Sequence, residues 1–111
     1  MLATSVLCTY NVVVAGLRFE WDPRKDRSNL EKHGISFAEA QTVFLDERAL
    51  LIDDPEHSGD EDRFVLMGLS LSLRVLVVCH CYRKGGDVIR LISARKADRS
   101  ERLHYGQRSK I

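Results

Sequence analysis

The chain has 111 residues, 44% hydrophobic and 30% charged, with 17 Lys plus Arg against 16 Asp plus Glu. That size suits one compact domain and leaves no room for a separate cofactor domain, and the apolar fraction excludes wholesale disorder. The net charge of +1 hides an asymmetry: residues 1–81 carry 8 basic and 13 acidic side chains, whereas residues 82–111 carry 9 basic and 3 acidic. A cationic last third attracts polyanions, or else forms an ordinary solvated surface.

Residues 1–17 contain no charged side chain, yet they lack the basic start of a signal peptide and are too short and polar to span a bilayer. They read as an N-terminal extension or an extra first strand. Arg18-Phe19-Glu20-Trp21 alternates polar and apolar, which predicts a short strand. Asp22-Pro23 then opens a helix, the carboxylate accepting orphan amides and the proline fitting the first position. Lys32-His33-Gly34 closes it, with cations at the negative end of the dipole and a glycine able to take the left-handed cap. Ser36-Phe37-Ala38-Glu39 has the pattern of a capping box for a second helix, and Phe37, Ala40, Val43 and Phe44 supply its buried stripe.

From Ala49 the period changes to two. Strands are predicted over 49–52, 63–69, 74–82 and 87–94, joined after the first by an acidic loop and afterwards by short turns suited to antiparallel hairpins. A last helix is predicted over 97–105. The layout is α+β: a short N-terminal strand, two helices, an antiparallel sheet meander and a C-terminal helix, with one sheet face under the helices and one available.

Strand alternation assigns Arg74, Leu76, Val78, His80 and Tyr82 to one face and Val75, Val77, Cys79 and Cys81 to the other. In the next strand it groups Val88, Arg90 and Ile92 against Ile89, Leu91 and Ser93. Arg90 therefore stands among apolar neighbours, and a salt bridge to a carboxylate such as Asp62 or Glu61 is its expected company. Cys79-His80-Cys81 offers two thiols on one face and the imidazole on the other, with no second pair to complete a tetrahedral site, so core packing is preferred over a metal. Three cysteines give no disulfide framework and suit a reducing cytosol. No glycine-rich phosphate loop, G-x-S-x-G elbow or HExxH occurs, and no motif calls for a cofactor. His33 and His104 read as capping or surface residues. The tract from Arg90 to Arg102 is the richest in chemistry: it gathers cations at a strand-to-helix junction, where Arg95 offers a bidentate fork for phosphate and Lys96 a point charge.

Phe19-Glu20-Trp21-Asp22-Pro23, Lys25, Asn29, Lys32-His33-Gly34, Phe37, Glu39-Ala40, Val43-Phe44 and Asp46 resemble the opening of BrnT-type toxins. Glu61, Arg63, Gly68, Arg90, Ile92-Ser93-Ala94-Arg95-Lys96-Ala97, Glu101 and Tyr105 resemble their second half. The likeness covers residues 18–105, leaving 1–17 as an extension and 106–111 as a tail. It implies a RelE-like fold and a cytoplasmic endoribonuclease toxin of a type II toxin–antitoxin system that inhibits translation. It also implies a hetero-oligomer with a BrnA-like antitoxin, which alone would reach operator DNA. Cleavage without a metal uses the ribose 2′-hydroxyl as nucleophile, so the protein must orient RNA, move protons and stabilise a phosphorane. Under that reading Arg63, Arg90 and Arg95 bind phosphate at the reacting centre, and His33, Glu61 and Tyr105 are candidates for proton transfer. Lys96, Arg99, Arg102, Arg83 and Lys84 hold the RNA backbone. Residues 39–62 hold nine acids against Arg48 alone, a surface that RNA avoids and that a basic partner or solvent meets. The competing reading is a non-catalytic module that binds nucleic acid or a partner.

Overall fold

The computed structural model describes residues 10–14, 16–53 and 63–109. The elements in chain order are β1 (Tyr10–Val14), β2 (Leu17–Trp21), α1 (Pro23–His33), α2 (Phe37–Ala40) continuing as a 3-10 turn (Gln41–Leu45), β3 (Leu50–Asp53), β4 (Phe64–Leu69), β5 (Val75–Arg83), β6 (Val88–Lys96) and α3 (Arg99–Ser109). The expected α+β order is present. Of the two readings of the N-terminal segment, Tyr10–Val14 is the extra first strand, at the edge of the sheet, and the last helix, expected over 97–105, spans Arg99–Ser109.

The six strands form one sheet in the order β1-β2-β6-β5-β4-β3. β3 to β6 make the expected antiparallel meander, while β2 lies parallel to β6 and β1 folds back antiparallel on β2. The parallel pairing joins residues about seventy positions apart, as in Glu20 opposite Arg90.

Local chemistry sets α1. Asp22 Oδ1 accepts from Arg24 N at 2.9 Å, and Gly34 at φ 73° returns its N–H to the Leu30 carbonyl at 2.9 Å. The helix is fastened to the sheet by one buried amide. Asn29 Nδ2 donates to the carbonyls of Ile35 and Ala94, both at 2.8 Å, while its Oδ1 accepts from Ala94 N at 3.0 Å. The second helix is shorter than expected, a single turn that tightens into a 3-10 segment. Half of its capping box is made: Ser36 Oγ accepts from Glu39 N at 3.1 Å, but the Glu39 carboxylate turns away to Ser70 Oγ and to Arg74. The Arg74 hydrogen bond outweighs burial and holds Glu39 below the usual carboxylate range.

Under α1 and α2 the sheet presents Phe19, Trp21, Leu66, Leu76, Val78, Ile89, Leu91 and Ala94, which pack with Ile35, Phe37, Ala40 and Val43 as the main core. His80 is fully buried on this side, ringed by Phe44, Phe64 and Tyr82 at centroid distances of 4.9, 6.1 and 5.3 Å. Burial keeps its imidazole below the ordinary value despite the contact with the Val78 carbonyl. The opposite, outer face is covered in part by α3, where Met67, Val77, Ala97 and Tyr105 form a second cluster.

The face assignment holds for β5 but changes within β6. Cys79 pairs with Ser93, yet the next residue, His80, pairs with Leu91, so Ile92 is an extra residue in β6. Such a bulge inverts alternation beyond it. Leu91 and Ala94 thereby share the core face, and Ser93 joins Arg90 rather than opposing it.

Candidate functional site

The bulge determines which cations meet. Arg90 and Arg95 are five positions apart, an odd separation that puts two residues of a regular strand on opposite faces. With Ile92 inserted, Arg90 stands opposite Cys81 and Arg95 opposite Val77, both on the outer face of β5. The two partners are four residues apart, so the arginines are spaced by roughly 13 Å along the sheet. Ser93 and Cys79 face outward between them.

Arg90 is charge-paired, though not with the expected Asp62 or Glu61. Its partner is Glu20, whose Oε2 accepts from Arg90 Nη1 at 2.8 Å. Arg83 Nε reaches the same oxygen at 3.7 Å from the end of β5. Glu20 is 7% exposed, because Phe19 and Trp21 on either side are committed to the core and strand alternation sends the acid outward beneath two guanidinium groups. One carboxylate under two cations compensates a charge taken partly out of water and leaves the group with an excess positive charge. Arg18 faces outward on the same strand, two residues before Glu20, and is exposed.

Arg95 forms the second node. Its guanidinium makes a bidentate pair with Glu101 at 2.8 and 2.9 Å. Glu101 in turn accepts from Asp98 N at 2.8 Å, and Asp98 Oδ1 accepts from Glu101 N at 2.8 Å, a reciprocal cap at the start of α3. The Arg95 hydrogen bond draws the Glu101 carboxyl below its ordinary value. Beside this pair, Ile52, Val65, Met67 and Val77 line an apolar groove of about 260 Å³, with His104 at its rim.

Arg63 is half-buried and immediately precedes Phe64, the partner of His80, so it stands at the Arg90 end of the sheet. Lys96 is exposed on the face opposite Arg95, where its charge is felt by Glu39. Arg99 is exposed on α3, and Arg102 Nη1 donates to the Ala97 carbonyl at 2.8 Å. Glu61 and the Lys84 side chain lie outside the described residues.

The remaining described candidates for proton transfer are His33 and Tyr105, the latter packed against Val77, the residue opposite Arg95. His33 is exposed in the last turn of α1, on the helix-covered side of the sheet. Tyr105 is buried, and its hydroxyl donates to Asp46 Oδ2 at 2.5 Å. Burial, then the Asp46 hydrogen bond, pushes the phenol up to about 12. Asp46 also accepts from Leu69 N at 2.8 Å and Arg48 N at 3.0 Å. Its approach depends on Gly68, where a Cβ would meet Val43 and Ala49 at 2.9 Å and Asp46 itself at 3.0 Å. Among the described residues, no three His, Cys, Asp or Glu side chains stand together as a metal site, and no helix is long and apolar enough to cross a membrane.

Glu20 and Glu101 complete the site as the carboxylates that pair its arginines, and neither stands out in a sequence by its charge alone. The signal for Glu20 was present: an acid between two core aromatics on a strand must point to the other face.

Residues 21–101 match the family model described as ribonuclease toxin, BrnT, of type II toxin–antitoxin system. Among solved structures, the 1.1 Å crystal structure of the Brucella abortus ribonuclease toxin, BrnT, is similar, with 25% sequence identity and a TM-score of 0.55 over 71% of this chain and 94% of that one. No curated protein matches the chain.

Proposed function

Because the chain belongs to the family of BrnT ribonuclease toxins of type II toxin–antitoxin systems, we propose that it is a metal-independent endoribonuclease that binds RNA on the outer sheet face and cleaves through the ribose 2′-hydroxyl. The observation that carries this reading is the outward alignment of Arg90 and Arg95 by the bulge at Ile92, with Arg83 beside the former. Guanidinium forks match phosphate oxygens two at a time, and they can meet negative charge as it develops on a phosphorane. Arg90 and Arg83, with Arg63 at the same end of the sheet, bind the reacting phosphate in this scheme. Arg95 holds a neighbouring one, and the apolar groove beside it accommodates a base. Lys84, Lys96, Arg99 and Arg102 guide the flanking backbone.

A type II toxin is held by a protein antitoxin. We assign that role to a BrnA-like partner, in a cytoplasmic hetero-oligomer whose operator contacts come from the partner's DNA-binding domain.

Incubation of the purified chain with RNA in excess chelator tests the reading. Fragments ending in 2′,3′-cyclic phosphate are expected. Arg90→Ala is expected to lower the cleavage rate about 100–1,000-fold, the cost of removing one preorganised donor to a developing oxyanion. A salt-sensitive gel shift without cleavage would identify a binding module instead, and full cleavage by both folded Arg90→Ala and folded Arg95→Ala would displace the site from this face.

A further inference from the structure

On the ribonuclease reading above, we infer that Glu20 is the residue that accepts the proton of the attacking 2′-hydroxyl. Its carboxylate lies within 2.8 Å of Arg90 and 3.7 Å of Arg83 on the outer face, so a phosphate held by those two guanidinium groups sits next to it. The 2′-hydroxyl that attacks a phosphate is on the ribose attached to it, and a group that touches the phosphate ligands is in reach of that hydroxyl. General-base catalysis requires this reach before anything else.

The other described candidates are engaged or distant: Asp22, which feels the charge of Arg90, accepts from Arg24 N at 2.9 Å as the cap of α1 and pairs with the Arg24 guanidinium at 3.5 Å. Glu101 spends both oxygens on the Arg95 fork and a third contact on Asp98 N. Tyr105 gives its proton to Asp46, and His33 is across the sheet. Glu20 makes its charge contacts only through Oε2 among the described ion pairs, whereas Arg90 uses only Nη1. The second guanidinium edge of Arg90 is thus available to phosphate while the first keeps the carboxylate in place.

In the step this assigns, the Glu20 carboxylate takes the 2′-hydroxyl proton as the O2′–P bond forms. The P–O5′ bond breaks with its electron pair on O5′, which takes a proton from water. The products are a 2′,3′-cyclic phosphate and a 5′-hydroxyl, and Glu20 returns its proton to solvent.

The test separates chemistry from binding. Single-turnover cleavage and affinity for a 2′-O-methyl RNA, which binds but lacks the nucleophile, are measured for the unmutated chain, Glu20→Gln and Glu20→Asp. Glu20→Gln preserves shape and an acceptor for Arg90, and it is expected to lose cleavage by about 100-fold or more, the usual scale for a missing proton acceptor, with affinity for the 2′-O-methyl RNA within about threefold of the unmutated chain. Glu20→Asp, which retains a carboxylate, is expected to cleave at least tenfold faster than Glu20→Gln. Cleavage by Glu20→Gln near the unmutated rate overturns the assignment. So does a parallel loss of cleavage and affinity, which would make Glu20 a positioning residue for the arginines, or equal activity of the Asp and Gln variants. No cleavage by the unmutated chain overturns the ribonuclease reading itself, a different result from any of these.

Discussion

Tyr105, a candidate for proton transfer in the sequence, fastens α3 in the fold. Its hydroxyl closes a bond to Asp46 that ties α3 to the far end of the sheet, and Asp46 is simultaneously held by the Leu69 and Arg48 amides. Burial alone would raise the Asp46 carboxyl, but the hydrogen bonds from Leu69 N–H, the Tyr105 hydroxyl and Arg48 N–H outweigh it and hold the group below its ordinary value. The phenol moves in the opposite direction, up to about 12 from the ordinary 10. For a group whose folded value is raised, the stabilisation is fully present below the unfolded value and disappears as pH climbs through the folded one. The Tyr105 contribution is therefore constant through neutral pH and lost between about 10 and 12. Tyr105→Phe removes the bond but keeps the ring against Met67 and Val77, with an expected cost of about 1–3 kcal/mol because Asp46 loses a donor in a partly buried place. Thermal unfolding followed from pH 7 to 12 checks both parts: the variant should start lower at pH 7 and fall less steeply across the alkaline range. A variant with the unmutated profile would show that the bond carries no stability.

At the level of elements, the features legible in the sequence are those decided within a few residues. Asp22-Pro23 and Gly34 bracket α1 because caps are local hydrogen-bond problems, and the short turns of the meander leave antiparallel pairing as the natural outcome. What was not legible depends on partners distant in the chain. The parallel pairing of β2 with β6 brings Glu20 to Arg90, and no window that sees one strand at a time can choose it over Asp62 or Glu61. The bulge is hidden for a related reason: Leu91-Ile92-Ser93-Ala94 reads as a regular strand, and only the register against β5 reveals one residue too many. Each cation is legible by itself in the sequence, but the face that Arg90 and Arg95 share is not. Deleting Ile92 tests that register. The deletion leaves Arg90 and Arg95 four residues apart, an even separation that a regular strand puts on one face, with Leu91 still opposite His80 and Ser93 opposite Cys79. The shortened strand is therefore expected to keep both arginines outward and to bind a 2′-O-methyl RNA within about threefold of the unmutated chain, less than about 1 kcal/mol, with an unfolding temperature lowered by no more than roughly 4–8 °C, the shift that about 1 kcal/mol produces in a domain this size. Loss of RNA binding by the folded deletion variant would mean that residue parity does not align the arginines.

For the whole molecule, a total charge of +1 is the wrong quantity from which to judge affinity for a polyanion. The 17 basic and 16 acidic side chains are segregated along the sequence, with nine acids and one arginine in residues 39–62 and the cations concentrated after residue 82. Folding then internally pairs part of that cationic supply: Glu20 engages Arg90 and Arg83, and Glu101 engages Arg95. RNA must exchange for Glu101 at Arg95 and share Arg90 and Arg83 with Glu20, so the number of cations on the outer face overstates the electrostatic gain. The exchange can be read from salt dependence, because each phosphate neutralised on a single strand contributes about −0.7 to the slope of log K against log salt. Arg95→Ala is expected to weaken binding to a 2′-O-methyl RNA and reduce the slope by about 0.7. Glu101→Gln should have the reverse effect: glutamine can still serve the reciprocal cap with Asp98, but it no longer competes as an anion for the Arg95 fork. Releasing an exposed ion pair worth roughly 0.2–1 kcal/mol tightens binding by up to about fivefold. The effect should be largest at low salt, where the pair is screened least. If Glu101→Gln binds RNA more weakly than the unmutated chain while α3 stays helical, Glu101 supports the interface instead of competing for it, and Arg95 meets RNA as a pair with its carboxylate rather than as a free cation.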